Sequence, residues 1–148
     1  MATMRGGEKL TAELQRIADN VRGNATVKVG FLEKATYPDG TPVAMVAAIQ
    51  EFGAPSINIP PRPFFRNMIA DKSSEWPKAV GDLLKSNDFD AEQTMGQAGE
   101  GIAGQLRQSV VDTNSPPNAA STIERKGASK PLVDTGHMLA SIDYEVKT

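Results

Sequence analysis

The first apolar positions of the chain recur every three or four residues and then begin to alternate. The helical spacing predicts an amphipathic helix over residues 8–22, with one apolar stripe made of Leu10, Leu14, Ile17 and Val21. The pair Gly23-Asn24 is suited to close this helix in a left-handed turn. Over residues 26–32 apolar and polar positions alternate, which predicts a half-buried strand. The chain therefore opens with a helix followed by a strand.

A turn with the sequence Tyr37-Pro38-Asp39-Gly40 separates this strand from a second helix. Proline presets the first central position of the turn, and glycine permits a positive φ. Thr41 is predicted to cap the helix and Pro42 to be its first residue. The helix covers residues 43–52 and ends at Gly53. Its small residues predict a closely packed neighbour.

The segment Ile59-Pro60-Pro61-Arg62-Pro63-Phe64-Phe65-Arg66 organises the rest of the pattern. Its prolines fix φ, remove backbone donors and restrict the residues before them, which predicts an extended, rigid strut. Pro63 is predicted to begin a helix. The apolar stripe of that helix consists of Phe64, Phe65, Met68 and Ile69. Arg62, Phe64 and Phe65 are therefore predicted to organise the fold or to form a subunit contact.

Two more helices are predicted within residues 73–110. Ser73 or Ser74 is expected to cap the first, with Pro77 in its first turn. Asp90 and Gln93 resemble a capping box at the start of the second. The second helix also contains four interior glycines, namely Gly96, Gly99, Gly101 and Gly104. Because each interior glycine costs about 1 kcal/mol relative to alanine, this helix is predicted to depend on close packing against another helix or subunit.

Residues 113–131 show no periodicity, which predicts a long flexible loop. Its basic residues Arg125, Lys126 and Lys130 are candidate contacts for phosphate or for a neighbouring molecule. Alternation returns over residues 142–147 and predicts a closing strand. Pairing the strands near 26–32 and 142–147 gives a small, mainly antiparallel sheet covered by several helices. The predicted fold class is α+β, in a single domain of 148 residues.

Composition narrows the function classes. The chain has no cysteine and one histidine, which excludes a disulfide framework, thiolate metal sites and a cysteine nucleophile. The formal charge of −2 gives no general attraction to nucleic acid or anionic lipid. No apolar run approaches the ~20 residues of a membrane span, and the N-terminus lacks the apolar core of a signal peptide. We expect a soluble protein made in a cytoplasm, without cofactor, metal or membrane partner.

Two motifs resemble functional signatures. The triplet Asp134-Thr135-Gly136 resembles that of aspartic proteases, in which two such aspartates share a proton. Only 12 residues follow it here, too few for a protease lobe, so Asp134 or Thr135 is predicted to cap a helix that starts near Gly136.

The spacing Pro60-Pro61-Arg62-Pro63 also occurs in ligands of SH3-type modules. Because it leads directly into an apolar helix, an internal strut is the preferred interpretation.

Several segments carry a family resemblance in their order along the chain. They are Val29-Gly30-Phe31, Tyr37-Pro38-Asp39-Gly40-Thr41, Glu51-Phe52-Gly53, Ile59-Pro60-Pro61-Arg62-Pro63-Phe64-Phe65, Ser121-Thr122-Ile123 with Arg125-Lys126-Gly127, and Lys130-Pro131-Leu132-Val133-Asp134-Thr135-Gly136-His137-Met138-Leu139. Together they resemble the neck or tail-completion proteins of long-tailed bacteriophages, also called head–tail joining or virion morphogenesis proteins. The resemblance covers most of residues 25–146. Its specific parts are the Pro-Pro-Arg-Pro-Phe-Phe and Lys-Pro-Leu-Val-Asp-Thr-Gly segments.

The resemblance implies a structural role rather than an enzymatic one. Members of this family are small α+β subunits that form a homo-oligomeric ring, commonly of six, at the head–tail junction of the virion. The implied partners are head-connector proteins and tail-tube or tail-terminator proteins, with DNA passing through the lumen without sequence specificity. Such a virion protein would be assembled in the host cytoplasm.

Two alternatives stay open. One is the neighbouring tail-terminator ring protein, which shares the size and setting of a neck protein but caps the tube itself. The other is a nucleic-acid-binding accessory protein that would use Arg125, Lys126 and Lys130.

Overall fold

The computed structural model describes residues 6–22, 25–113 and 137–148. Within these ranges the elements are, in order, α1 (Gly7–Val21), β1 (Thr26–Phe31), α2 (Val43–Phe52), α3 (Phe64–Lys72), α4 (Trp76–Ser86), α5 (Ala91–Asp112), α6 (His137–Ala140) and β2 (Ile142–Lys147). Short 3₁₀ turns occupy Pro55–Ile57 and Ser73–Glu75. The predicted α+β class is confirmed. Predictions on Gly23-Asn24 and on the loop beyond residue 113 concern residues outside the described ranges.

The sheet consists of β1 and β2, which pair antiparallel over their full lengths. Thr26 lies opposite Lys147 at one end, and Phe31 lies opposite Ile142 at the other, so the predicted strand pairing is confirmed. The apolar positions of both strands are buried or half-buried, and the polar positions between them are exposed apart from the buried Gly30. Because two strands alone are marginally stable, this sheet depends on α5, which covers it.

The core lies between α5, the sheet, α2 and α3. Its buried members are Val43, Ala47, Phe64, Met68, Ala103, Leu106, Val110, Met138 and Ile142. The Phe64 ring meets the Phe31 ring edge-on, with 6.1 Å between the ring centroids. Of the stripe predicted on α3, Phe64 and Met68 reach the core, whereas Ile69 stays 41% exposed. The helix after the prolines therefore supplies the centre of the core.

Side-chain hydrogen bonds hold the other elements to α5. Ser109 Oγ donates to the Phe64 carbonyl oxygen at 2.6 Å, and Arg107 Nη2 donates to the Ile142 carbonyl oxygen at 2.7 Å. Trp76 Nε1 donates to Gln105 Oε1 at 2.8 Å. These bonds connect α3, β2 and α4 to α5, so α5 is the element that contacts all three.

Two proline-adjacent helices begin one residue later than predicted. Thr41 does not cap α2, because no side-chain hydrogen bond caps this helix. The backbone N–H of Thr41 donates to Asp39 Oδ1 at 3.0 Å in a local turn. Pro42 instead occupies the N-cap position of α2, and Pro63 occupies that of α3. Their ψ angles of 129° and 58° are outside the helical range, so neither proline is the first helical residue.

At the next two helix starts, one prediction is wrong and the others are confirmed. Neither Ser73 nor Ser74 caps α4, because the 3₁₀ turn containing them continues directly into the helix. Pro77 lies in the first turn of α4, as predicted. Asp90 is the N-cap of α5, and its Oδ1 accepts the backbone N–H of Gln93 at 3.0 Å. A local serine cap is unnecessary where one helical segment runs into another.

Gly99 explains why α5 contains glycine where it faces the sheet. A Cβ added to Gly99 would lie 2.6 Å from Val27 Cγ2 and 2.9 Å from Tyr144 Cδ2. At Gly99 the predicted close packing is therefore present, and its partner is the sheet. Packing of α5 against another subunit stays a prediction. A Cβ at Gly96, Gly101 or Gly104 would meet no atom of the described residues within 4 Å.

Gly99→Ala and Gly101→Ala are expected to have opposite effects on stability. Both substitutions add helix propensity worth ~1 kcal/mol. At Gly99 the methyl group would overlap the sheet, and overpacking of this kind costs ~1–3 kcal/mol, so a net loss is expected. At exposed Gly101 the propensity gain should remain. Urea unfolding of the two variants measures the difference, and equal stabilisation by both would contradict the described packing of α5 on the sheet.

Candidate functional site

The segment that connects α2 to α3 (residues 53–63) folds back on itself, and we call it the proline elbow. Ala54 and Ile59 exchange backbone hydrogen bonds of 2.8 and 3.1 Å across the turn. Gly53 ends α2 as predicted, with φ of 74°. A Cβ at Gly53 would lie 2.7 Å from the Ile59 carbonyl oxygen and 2.8 Å from Pro61 N. Conformation and contact both require glycine here.

Glu51, in the last turn of α2, binds the start of α3 across the elbow. Its carboxylate is buried and accepts the backbone N–H groups of Phe65 and Arg66 at 2.9 and 3.1 Å. The same carboxylate accepts Arg66 Nε at 2.8 Å. First-turn amides of a helix have no partner within the helix, and Pro63 at the N-cap has no side-chain oxygen to offer. Glu51 therefore caps α3 from a different helix.

Arg62 lies inside the elbow, with 6% of its surface exposed. Its backbone N–H donates to the Gln50 carbonyl oxygen at 2.7 Å, and its Nη1 donates to Gln50 Oε1 at 3.2 Å. Burial lowers the pKa of the Arg62 guanidinium, but the ordinary value is so high that the group stays charged at neutral pH. Arg62 thus joins the end of α2 to the start of α3.

An apolar groove of about 320 Å³ lies between α2, the start of α3 and the end of β1. Its lining includes Phe31, Ala44, Ala48, Phe52, Phe65 and Arg66. Phe52 is 64% exposed, and the guanidinium carbon of Arg66 lies 5.0 Å from the centre of its ring. Because Glu51 is buried, Arg66 is the exposed charged residue of this lining. The groove is suited to apolar side chains.

The N-terminal helix α1 presents a second apolar surface. None of its residues is buried, and Leu10, Leu14 and Val21 are 55%, 57% and 40% exposed. We call the stripe that these residues form with half-buried Ile17 the α1 stripe.

Polar contacts hold α1 against the turn between α4 and α5. Arg16 Nη1 and Nη2 donate to the two carboxylate oxygens of Asp88 at 2.8 and 2.9 Å. Asn20 Nδ2 donates to the Asp88 carbonyl oxygen at 3.2 Å. The hydrogen bond from Arg16 also lowers the pKa of Glu13. These exposed contacts set the position of α1 without covering its apolar stripe.

The predicted site residues divide into two groups. Arg62 and Pro63 end the elbow, and Phe64 and Phe65 begin α3 directly after it. Arg62 and Phe64 are buried, and Phe65 is half-buried. The other predicted residues lie outside the described ranges; they are Arg125, Lys126, Lys130, Asp134, Thr135 and Gly136. His137 follows Gly136 in the sequence, and its Nε2 lies 2.7 Å from the Thr36 carbonyl oxygen.

Sequence reasoning missed Glu51 and the exposed face of α2. One signal for Glu51 was present, because a helix that follows proline needs an external acceptor for its first amides. The exposed face follows from spacing, since Met45, Ala48 and Phe52 recur at i, i+3 and i+7. The small residues of this helix predict a closely packed neighbour, which does not indicate that one of its faces is exposed.

The described ranges contain neither a metal-binding cluster nor a helix able to cross a membrane. Over residues 6–22, 25–113 and 137–148, no group of three or more His, Cys, Asp or Glu residues is arranged to hold a metal ion. In that same part of the chain, no helix combines the length and hydropathy that crossing a membrane requires. Comparison with known proteins found no matching family model, curated protein or solved structure.

Glu51→Ala is expected to lower the free energy of unfolding by about 2–3 kcal/mol. The substitution removes the cap of α3 and leaves two first-turn amides unbonded. Glu51→Gln keeps one acceptor oxygen and should lose only about half as much. Glu75→Ala, at an exposed glutamate, is the matched control and should change little. Equal unfolding midpoints in urea for Glu51→Ala and Glu75→Ala would contradict the capping role.

Proposed function

We propose that this chain is a structural subunit of a tailed-phage virion. Copies of it form a homo-oligomeric ring at the head–tail junction, join the head connector to the tail and leave a lumen for DNA. The ordered motifs that resemble neck and tail-completion proteins supply the identity in this proposal. The surfaces of the described residues support the part of it that concerns assembly.

The observation that carries the proposal is the pair of separate apolar surfaces on one small chain. The α1 stripe and the exposed face of α2 together include Leu10, Leu14, Val21, Met45 and Phe52, each at least 40% exposed. Large exposed apolar patches on a soluble protein mark places where it binds another molecule. Two such surfaces on different elements suit a subunit that contacts a neighbour on each side.

The proline elbow supports an assembly role through rigidity. Glu51 and Arg62 bond α2 to the start of α3, so the groove has a fixed backbone on both sides. A surface that is already ordered loses little conformational entropy on binding. The two charged residues of the groove, Glu51 and Arg66, are bonded to each other, and the rest of its lining is apolar, which favours a docking surface over an active site.

The remaining features of the proposal come from the family resemblance. The ring would contain six copies, and its partners would be the head connector and tail-tube or tail-terminator proteins. DNA would pass through without sequence-specific contacts. The net charge of −2 suits a lumen from which a polyanion is released readily.

The full-length chain is expected to form a ring in solution or on the particle. Native mass spectrometry and light scattering over a concentration series should show a discrete closed species with the mass of six chains. Hydrophobic contacts should make this species persist at moderate salt, since exposed charge pairs contribute little. A chain that stays monomeric and never enters particles would contradict the proposal.

Deletion of the gene in its phage should leave DNA-filled heads without attached tails, seen by electron microscopy of lysates. Complementation with the wild-type chain should restore joined particles. Normal joining in the deletion strain would contradict the proposal. Heads with complete necks beside tails of uncontrolled length would contradict it as well, and would favour the tail-terminator alternative.

A further inference from the structure

We infer that α1 of one copy docks into the apolar groove beside α2 of a second copy, in a head-to-tail contact. This inference rests on the proposed assembly and identifies the surfaces that form it. The occupant of the groove is then a helix of this same chain. The contact would be repeated from copy to copy around the ring.

The first argument is the incomplete packing of α1. Helices of about 12–15 residues are marginal in water unless an apolar face packs against something, and α1 has 15 residues. None of them is buried among residues 6–22, 25–113 and 137–148, although the apolar stripe extends over three turns from Leu10 to Val21. Its contacts with Asp88 are polar and exposed, so they leave this stripe available to another molecule.

The second argument is the location of the two surfaces. α1 ends shortly before Thr26, the first residue of β1, whereas the groove is lined by Phe31, the last residue of β1. These two ends of the strand are about 17 Å apart at ~3.3 Å per residue. A contact between copies would therefore join two different surfaces. Such a heterologous contact forms a closed ring when the rotation between copies permits closure.

The third argument is chemical complementarity. The α1 stripe is apolar, as is the part of the groove that Ala44, Ala48 and Phe52 line, and the alanines allow close approach of a second helix. Glu13 lies three residues after Leu10 and four before Ile17, so a carboxylate borders the stripe. The groove has Arg66 at its edge, and no bond to Arg66 Nη1 exists within the described part of the chain. Glu13 is bonded to Arg16, which also pairs with Asp88, and Arg66 is bonded to Glu51. This side of α1 still carries two carboxylates for one guanidinium, whereas the exposed charge at the edge of the groove is the Arg66 guanidinium.

A small contact of this kind stabilises a closed ring more than it stabilises a dimer, because each chain of a ring forms it twice. One helix in a groove lies at the low end of protein interface sizes, which average roughly 800 Å² per partner. In a closed ring every copy both contributes α1 and accepts α1, so each chain forms the contact twice. The assembled state is stabilised by closure, whereas an open dimer leaves one stripe and one groove exposed.

A mixing experiment with two full-length variants tests the contact. Leu14→Asp disables the stripe and Phe52→Asp disables the groove, and each alone should self-associate at least about 30-fold more weakly than the wild type. An equimolar mixture should form 1:1 heterodimers, because the intact α1 of the Phe52→Asp chain fits the intact groove of the Leu14→Asp chain. Native mass spectrometry with one chain isotopically labelled identifies this species.

Controls separate loss of the contact from loss of folding. Both substituted side chains are mostly exposed, so circular dichroism and urea unfolding of the monomers should match the wild-type monomer. Ala12→Asp places the same charge on an exposed position of α1 away from the stripe and should assemble normally. If Ala12→Asp also abolished assembly, a general charge effect would replace the inferred contact.

The outcomes distinguish this inference from the proposed function. Rings that persist in both variants would overturn the α1–groove contact and leave the proposed ring standing. Self-association of one variant but not the other would indicate contact between two identical surfaces, which also overturns it. A wild-type chain that never associates would remove the assembly itself.

Cysteine pairs give an independent readout, because the chain contains no cysteine. Oxidation of a mixture of Leu14→Cys and Phe52→Cys chains should give crosslinked heterodimers. Oxidation of the doubly substituted chain should give a ladder of crosslinked oligomers. A crosslink confined to single chains at low concentration would show that α1 occupies its own groove and would overturn the inference.

Discussion

The structure depends on one carboxylate that caps a helix to which it does not belong. Glu51, at the end of α2, accepts the first-turn amides of α3 and the side chain of Arg66. Pro63 at the N-cap has no side chain able to accept these bonds. The position of the first turn of α3 is therefore set by Glu51 of α2. Phe64 is thereby placed in the core against Phe31. Glu51 therefore links the end of α2 to the start of α3, the two helices that border the apolar groove and contribute Phe64 and Met68 to the core.

The folded body and the two exposed apolar surfaces differ in how they are stabilised. Around α5, close packing at Gly99 and hydrogen bonds from Arg107 and Ser109 fix the sheet and α3. The stripe of α1 has no comparable cover, and the groove beside Phe52 is open. A rigid body with open apolar surfaces is the arrangement expected of an assembly subunit, in which the last burial of apolar area occurs between copies.

Local sequence patterns predicted the helices and strands, but they could not predict contacts between residues far apart in the sequence. Alternation identified both strands, and the Asp90–Gln93 spacing identified the cap of α5, because both features are determined within a few residues. The capping role of Glu51 depends on residues 14 and 15 positions away, and no periodicity encodes such a contact. Likewise, the spacing of α1 predicted an apolar stripe without showing that its own chain leaves the stripe uncovered.

Hydrogen exchange at two protein concentrations tests most directly whether this chain completes its structure among copies of itself. The account predicts that amides of α1 exchange rapidly in dilute solution and become protected as assembly proceeds, whereas amides in the middle of α5 stay protected at both concentrations. Strong protection of α1 in a monomer, unchanged by concentration, would contradict the account.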